Sequence, residues 1–196
     1  MNTMQKFLGH LRTVNRHRFQ VMRNCFRAGI PLQGLMHDLS KFSYTEFSQG
    51  VRFFDGTHSP TEDERRTQGY STAWMHHKGR NRHHWEYWTD YSMEKGCYVP
   101  MPMPRRYLAE TICDRIAASK IYKGAAYTDN CPIDYLQNGK MRDSMHPQTL
   151  DELTHFLALL RDEGEDAMFT SLRNWVREDK RRPDVYILLS QSCIRR

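Results

Sequence analysis

The spacing of apolar residues over the first 27 positions leaves this chain few folds to choose from. Phe7, Leu11, Val14, Val21 and Phe26 recur near a period of about 3.6 residues, the signature of one buried stripe on a helix from about Thr3 to Arg27. His17 falls in line with Val14 and Val21. Ala28-Gly29-Ile30-Pro31 stops the helix. A short second helix, about Leu32 to Leu39, carries His37 and Asp38, and a third begins at Ser40 or Ser43 and runs through Phe47, Val51 and Phe54 to the stop at Asp55-Gly56.

The clearest helix start is Ser59-Pro60-Thr61-Glu62, which combines an N-cap Ser, a Pro at the first helical position and a Glu placed to complete a capping box. The helix it opens is expected to carry Tyr70, Ala73, Trp74 and His77 on one stripe and to finish near His77. Asn81 is placed to cap a short helix bearing His83 to Trp88. Three prolines in CYVPMPMP predict a loop, and a helix follows from Arg105 to about Lys123, with Asp114 on the same side as Tyr107, Ala118 and Ile121. Two amphipathic helices over about 146–180 are marked by Leu150, Leu153, Leu157 and Leu160, then by Phe169, Leu172 and Val176. The end, with Lys180-Arg181-Arg182 and Arg195-Arg196, reads as a basic solvated tail.

Alternating strand patterns are almost absent, apart from Val185 to Leu189, which is too short to classify. The expected fold is therefore an all-α helical bundle. With 196 residues, no repeat and no internal linker, a single domain over 1–196 is expected. Four Trp, ten Tyr and nine Phe supply enough large side chains to close a core. No apolar run approaches the roughly 18 to 20 residues of a membrane helix, and His10 and Arg12 break the start too early for a secretory h-region. A soluble cytoplasmic protein follows. Its five scattered cysteines form no CxxC pair and are expected to be reduced core thiols rather than disulfides or zinc ligands.

Ten histidines are the chemical clue, because they coincide with faces that otherwise read as buried. His17 lies on the first helix, His37-Asp38 on the second, Asp114 on the helix after the prolines. A buried carboxylate is costly unless paired or bound to a metal. Side chains on consecutive helical residues diverge by about 100°, so His37 and Asp38 reach one ion only where the backbone turns, or serve two ions. His76-His77 and His83-His84 add imidazoles across a short turn. Nitrogen and oxygen donors without thiolate suit Zn, Fe, Mn or Ni, so one or two divalent transition-metal ions are expected. A loop position leaves His58 exposed, and His10, His146 and His155 have no constellation around them.

The order His17, His37-Asp38, His76-His77, Asp114 on helices resembles the HD-domain superfamily of metal-dependent phosphohydrolases, whose signature is H…HD…D. His37-Asp38 with Lys41 is similar to the HDxxK form of members that degrade cyclic dinucleotides, although the GYP element of that group is absent. More narrowly, HDLSKF, AWMHHKGRNRHHWEYW and CDRIAASK resemble a family of small bacterial and phage HD-like proteins. The resemblance covers about 7–123 and implies an HD-like bundle with the metal-site core there. It implies His17, His37, Asp38 and Asp114 as the basic ligand set, with Asp38 a bridge between two ions. His76 or His77, and His83 or His84, would complete the shell of the second.

The function expected is hydrolysis of a nucleotide, cyclic nucleotide or other small phosphorylated compound, with Asp38 and Lys41 at the reacting centre. Lys41 would act as a point charge on the phosphate, and Lys78, Arg80 and Arg82 as a further clamp, in competition with a plain solvated basic turn. Trp85, Tyr87 and Trp88 are candidates to stack a base, or else core aromatics. Arg115 is placed to orient Asp114. Two other functions use the same residues: a di-iron oxygenase of the HD type, and a protein that sequesters a nucleotide without turning it over. The net charge of +6 forms no continuous basic stripe, so a nucleic-acid partner is not expected, nor a membrane; a homodimer is compatible with everything above.

Overall fold

A computed structural model describes residues 1–180 of the chain. Eight α-helices and one two-stranded hairpin make up these residues, so the fold is mostly α as expected. The basic tail and the segment Val185 to Leu189 lie outside the described residues.

Helix α1 spans Thr3–Arg27, opened by a capping box between Asn2 and Gln5. Its buried line runs through His10, Val14, His17, Val21, Asn24 and Cys25. Phe7 and Phe26, expected on that stripe, are instead 41% and 49% exposed: the buried line begins only at His10, one turn after Phe7, and ends at Cys25, one position before Phe26. Helix α2 is Pro31–Met36, shorter than expected, and ends before the two residues it was meant to carry. Helix α3, Tyr44–Arg52, is capped by Ser43, whose hydroxyl accepts from the Glu46 amide.

The long helix expected from Ser59 to His77 is two helices. Helix α4, Pro60–Gln68, ends at Gly69, which takes a left-handed φ of 80°, and Ser71 caps a new helix α5, Thr72–Arg80, by accepting from the Trp74 amide at 2.9 Å. Tyr70 is therefore in an exposed connection. The Ser59 capping box does not form; the Ser59 hydroxyl pairs with Thr61 instead. Buried Glu64 joins the two helices through the hydroxyls of Ser71 and Thr72. Asn81 terminates α5 rather than opening a helix, and only a 3-10 turn, Trp85–Tyr87, follows.

The proline-rich loop is in part a strand: β1, Thr89–Ser92, pairs antiparallel with β2, Cys97–Pro100. The ladder tolerates Pro100 because it stands at the last register pair, on an edge. Helix α6, Arg105–Lys123, has the expected bounds and is the centre of the molecule, packed against α1 on one side and against the C-terminal helix on the other. Leu108, Ala109, Ile112, Cys113, Ile116 and Ala117 are fully buried there. A short helix α7, Cys131–Asn138, was not foreseen. The two expected C-terminal helices together make up α8, Pro147–Lys180, and are separated at Gly164, whose φ 81° and ψ 177°, a conformation open essentially to glycine alone, interrupts the helix. Leu153, Leu157, Leu160, Met168 and Leu172 complete the apolar core.

Among the described residues, Cys25 and Cys113 are buried core thiols; Cys97 is exposed on the hairpin and Cys131 half-buried at the start of α7, so the expectation of core thiols fails for these two, while Cys193 lies outside the described residues.

Candidate metal centre

Between α2 and α3 the backbone turns where His37 and Asp38 stand. His37 has left the helix with ψ 129°, and Asp38 takes φ 54° and ψ 25°, the left-handed region that non-glycine residues rarely occupy and that Asp tolerates better than most. Arg18 on α1 fixes this turn by donating from Nε to the His37 carbonyl at 2.9 Å and from Nη2 to the Leu35 carbonyl at 3.2 Å. The turn lets two consecutive side chains point into one place. Both are buried.

Into the same place come His17 from α1, His77 from α5, His83 and His84 from the segment after α5, and Asp114 from α6. Two donor groups meet around Asp38, each with its atoms within 4.8 Å of one another: His17, His37 and Asp114, and Asp38, His77, His83 and His84; a third close set, His37, His83 and Glu110, lies behind them. Asp38 connects the first two. Its Oδ2 lies 3.6 Å from His17 Nε2 and 3.3 Å from His37 Nε2, while its Oδ1 lies 3.3 Å from His77 Nε2 and 3.5 Å from His83 Nε2. Asp114 Oδ1 approaches His17 Nε2 at 3.0 Å.

Behind the donors stand two carboxylates that sequence reasoning missed. Glu110 Oε1 accepts from His37 Nδ1 at 2.9 Å and lies 3.1 Å from His83 Nδ1; Glu46 Oε2 accepts from His77 Nδ1 at 2.7 Å. A carboxylate can only accept, so each of these rings carries its proton on Nδ1 and turns its Nε2 inward. That is the arrangement in which outer carboxylates orient metal-ligating histidines. The signal for Glu110 was its place one helical turn before Asp114 on an otherwise apolar stretch; Glu46, in the first turn of α3, gave none beyond ordinary helix chemistry.

The donor set fits a metal by its unmet bonding. Among the described residues, His37 Nε2, Asp38 Oδ1, His83 Nε2 and His84 Nε2 are buried without a hydrogen-bond partner. Such a concentration of unpaired polar atoms is costly in a protein interior unless something binds them. The charges are correspondingly coupled. Burial opposes the charged form of His37, but the carboxylates of Asp38, Glu110 and Asp114 outweigh it and hold the imidazole up at about 10. Burial pushes the Asp38 carboxyl up, and His37, Lys41 and His77 hold it well below the usual range. For His17 and His84 burial prevails and holds both below the ordinary imidazole range, with Lys41 adding to the effect at His17, and His83 and His77 at His84.

The remaining expected site residues divide. Lys41 reaches the centre, its Nζ 2.7 Å from Asp38 Oδ2. His76 does not: its Nδ1 pairs with Glu46 Oε1 at 2.6 Å, and it belongs to neither donor group, because the residue beside His77 on a helix faces elsewhere. His83 takes the inward place that an open choice between His83 and His84 left undecided, with His84 beside it. Lys78 is half-buried and Arg80 exposed. Arg82 turns away to Tyr107, donating to its hydroxyl at 3.1 Å, so it forms no clamp at the centre. Trp85 and Trp88 pack against the apolar core rather than forming a stacking surface. Arg115 does not orient Asp114; it points to Met141 Sδ at 3.1 Å. His58 is exposed in a turn with Asp55, as expected.

No helix of the described residues is long and apolar enough to cross a membrane. No curated protein and no solved structure matches the chain. A family model does match, over residues 6–159, a span that includes every donor named above, and the chain belongs to that family, a family of unknown function (DUF5662).

Proposed function

We propose that this chain is a cytoplasmic metal-dependent phosphohydrolase of the HD type, acting on a nucleotide, cyclic nucleotide or other small phosphorylated compound. The observation that carries the proposal is the division of Asp38: its two oxygens face two separate donor groups, so that this one carboxylate would serve both. His17, His37, Asp38 and Asp114 would hold one ion, and Asp38, His77, His83 and His84 the other. Bound there, divalent cations supply a water acidified to near neutrality and positive charge on a phosphate oxygen.

The chain's own residues supply the rest. Glu110 and Glu46 hold the imidazoles in the tautomer that leaves Nε2 free to ligate. Lys41, whose side chain is 31% exposed, stands between Asp38 and solvent and is placed to meet an arriving phosphate as a point charge. Lys78 is the second candidate for that role. A di-iron oxygenase is the alternative, favoured by the preponderance of imidazole donors around a bridging carboxylate, a set that suits iron as well as zinc or manganese.

Purified chain analysed for metal content and then screened for phosphate release from phosphorylated compounds decides between them. Phosphate release that vanishes in the His37→Ala/Asp38→Ala double variant is the expected result. Iron with oxygen uptake and no phosphate release would support the oxygenase, and a nucleotide recovered intact after long incubation would indicate sequestration.

A further inference from the structure

Glu110 serves both donor groups through one atom. Its Oε1 faces His37 Nδ1 at 2.9 Å and His83 Nδ1 at 3.1 Å, and those two rings, with centroids 4.4 Å apart, turn their Nε2 atoms into different groups: His37 joins His17 and Asp114, while His83 joins Asp38, His77 and His84. Its other oxygen is anchored by Gln33 of α2, which donates from Nε2 at 2.9 Å. Glu46 makes a different connection. Its Oε2 holds His77, of the second group, and its Oε1 holds His76, which belongs to neither.

We propose that Glu110 is a positioning residue that couples the two ion positions, so that filling one prepares the other, whereas Glu46 supports one position alone. The inference rests on the two-ion reading of the site and adds an interaction between its halves. With an ion on its Nε2, the His37 ring would be fixed, and its Nδ1–H bond would fix the Glu110 carboxylate in turn. The same oxygen then holds His83 in its ligating orientation before the second ion arrives. Ordering already done for the first ion is not repeated for the second, which is positive cooperativity without a change of fold. Repulsion between two cations works against it, so the coupling is read as a difference between variants.

The experiment is calorimetric titration of the metal-stripped full chain with Zn²⁺. Glu110→Gln keeps the shape and removes the charge; both positions are expected to weaken, each by roughly 10- to 100-fold, the range that loss of an outer carboxylate produces at metal sites. Glu46→Gln is expected to weaken one position by that range and leave the other as in wild type. A readout that needs no variant accompanies it: with Co²⁺ in the wild-type chain, the exchange-protected Nδ1–H resonances of His37 and His83 are expected to shift together during the first equivalent. Loss at a single position in Glu110→Gln, or shifts of the two resonances at separate equivalents, would overturn the coupling while leaving the metal centre intact. A wild-type chain that takes up no transition metal would instead overturn the metal centre itself.

Discussion

Helix α6 has two neighbourhoods, and they are built on opposite principles. Toward α8 it presents Leu108, Ile112 and Ile116 to Leu153, Leu157 and Leu160, an interface held by area removed from water, which has no direction and tolerates small displacements. Toward the turn at Asp38 it presents Glu110 and Asp114 to a ring of imidazoles, where every contact has a direction and buried donor atoms lack partners. The apolar side supplies stability; the polar side consumes it and holds the chemistry. The two should therefore respond separately to substitution, and where they fail to do so the division is wrong.

The sharpest separation is expected from His37→Ala/Asp38→Ala, which removes a donor from the first group and the bridge between the two. Metal content should fall to background while the helical circular dichroism persists; collapse of the helical signal would mean that the polar side also supports the fold. Leu157→Ala is the converse test. Cutting this fully buried side chain should lower unfolding stability by about 2–5 kcal/mol in urea while the metal content of the folded protein stays that of wild type.

Gly34→Ala examines the border between the regions. An added Cβ would stand 2.6 Å from Cys25 Cβ and 3.1 Å from Met22 Cα, so α2 must shift away from α1, at a cost of about 1–3 kcal/mol. Because α2 delivers His37 to the turn, metal affinity should fall along with stability, and unchanged affinity would show that Arg18 alone fixes the turn.

The smallest effect is expected with pH. His10 lies outside the donor groups, against Phe47 and Phe54; burial first, and then the charge of Lys41, lower its pKa from 6.5 to about 4. The unfolded chain therefore takes up a proton that the folded chain refuses. This contribution to stability is complete above 6.5 and is lost as pH falls from 6.5 through about 4. Between pH 7 and 5 it amounts to on the order of 1 kcal/mol. In the metal-loaded protein, His10→Leu should reduce the acid slope of the urea midpoint, and an unchanged slope would remove His10 as its source.

The same contrast explains what could be read from the sequence. Apolar periodicity reports helices that bury one continuous face, so α1 and α6 were legible to the residue, and the two halves of α8 from their leucine and phenylalanine spacing. The break at Gly69 is weakly marked in the sequence, because a single glycine inside a helical pattern is ordinarily tolerated and only the second cap at Ser71 makes it a stop. For the site, residue identity was enough to single out His17, His37, Asp38 and Asp114, and the pair His76-His77 without a choice between them, since imidazole and carboxylate on buried faces demand a reason. Choosing between His76 and His77 required the direction of each side chain: both bond to Glu46 of α3, but only His77 turns its Nε2 to Asp38. Glu110 was hidden for a related reason: its partners, His37 and His83, come from distant parts of the chain. Arg82 and the tryptophans were misplaced because charge and aromaticity near a histidine block say nothing about which way they turn.

Metal content measured on the purified, untagged chain tests the central claim most directly. Plasma mass spectrometry after exhaustive dialysis, followed by titration of the stripped protein, should find transition-metal ions, with two binding positions per chain that both disappear in His37→Ala/Asp38→Ala. A wild-type chain that retains and takes up none would contradict it, and would leave the buried imidazoles around Asp38 as a hydrogen-bonded polar core.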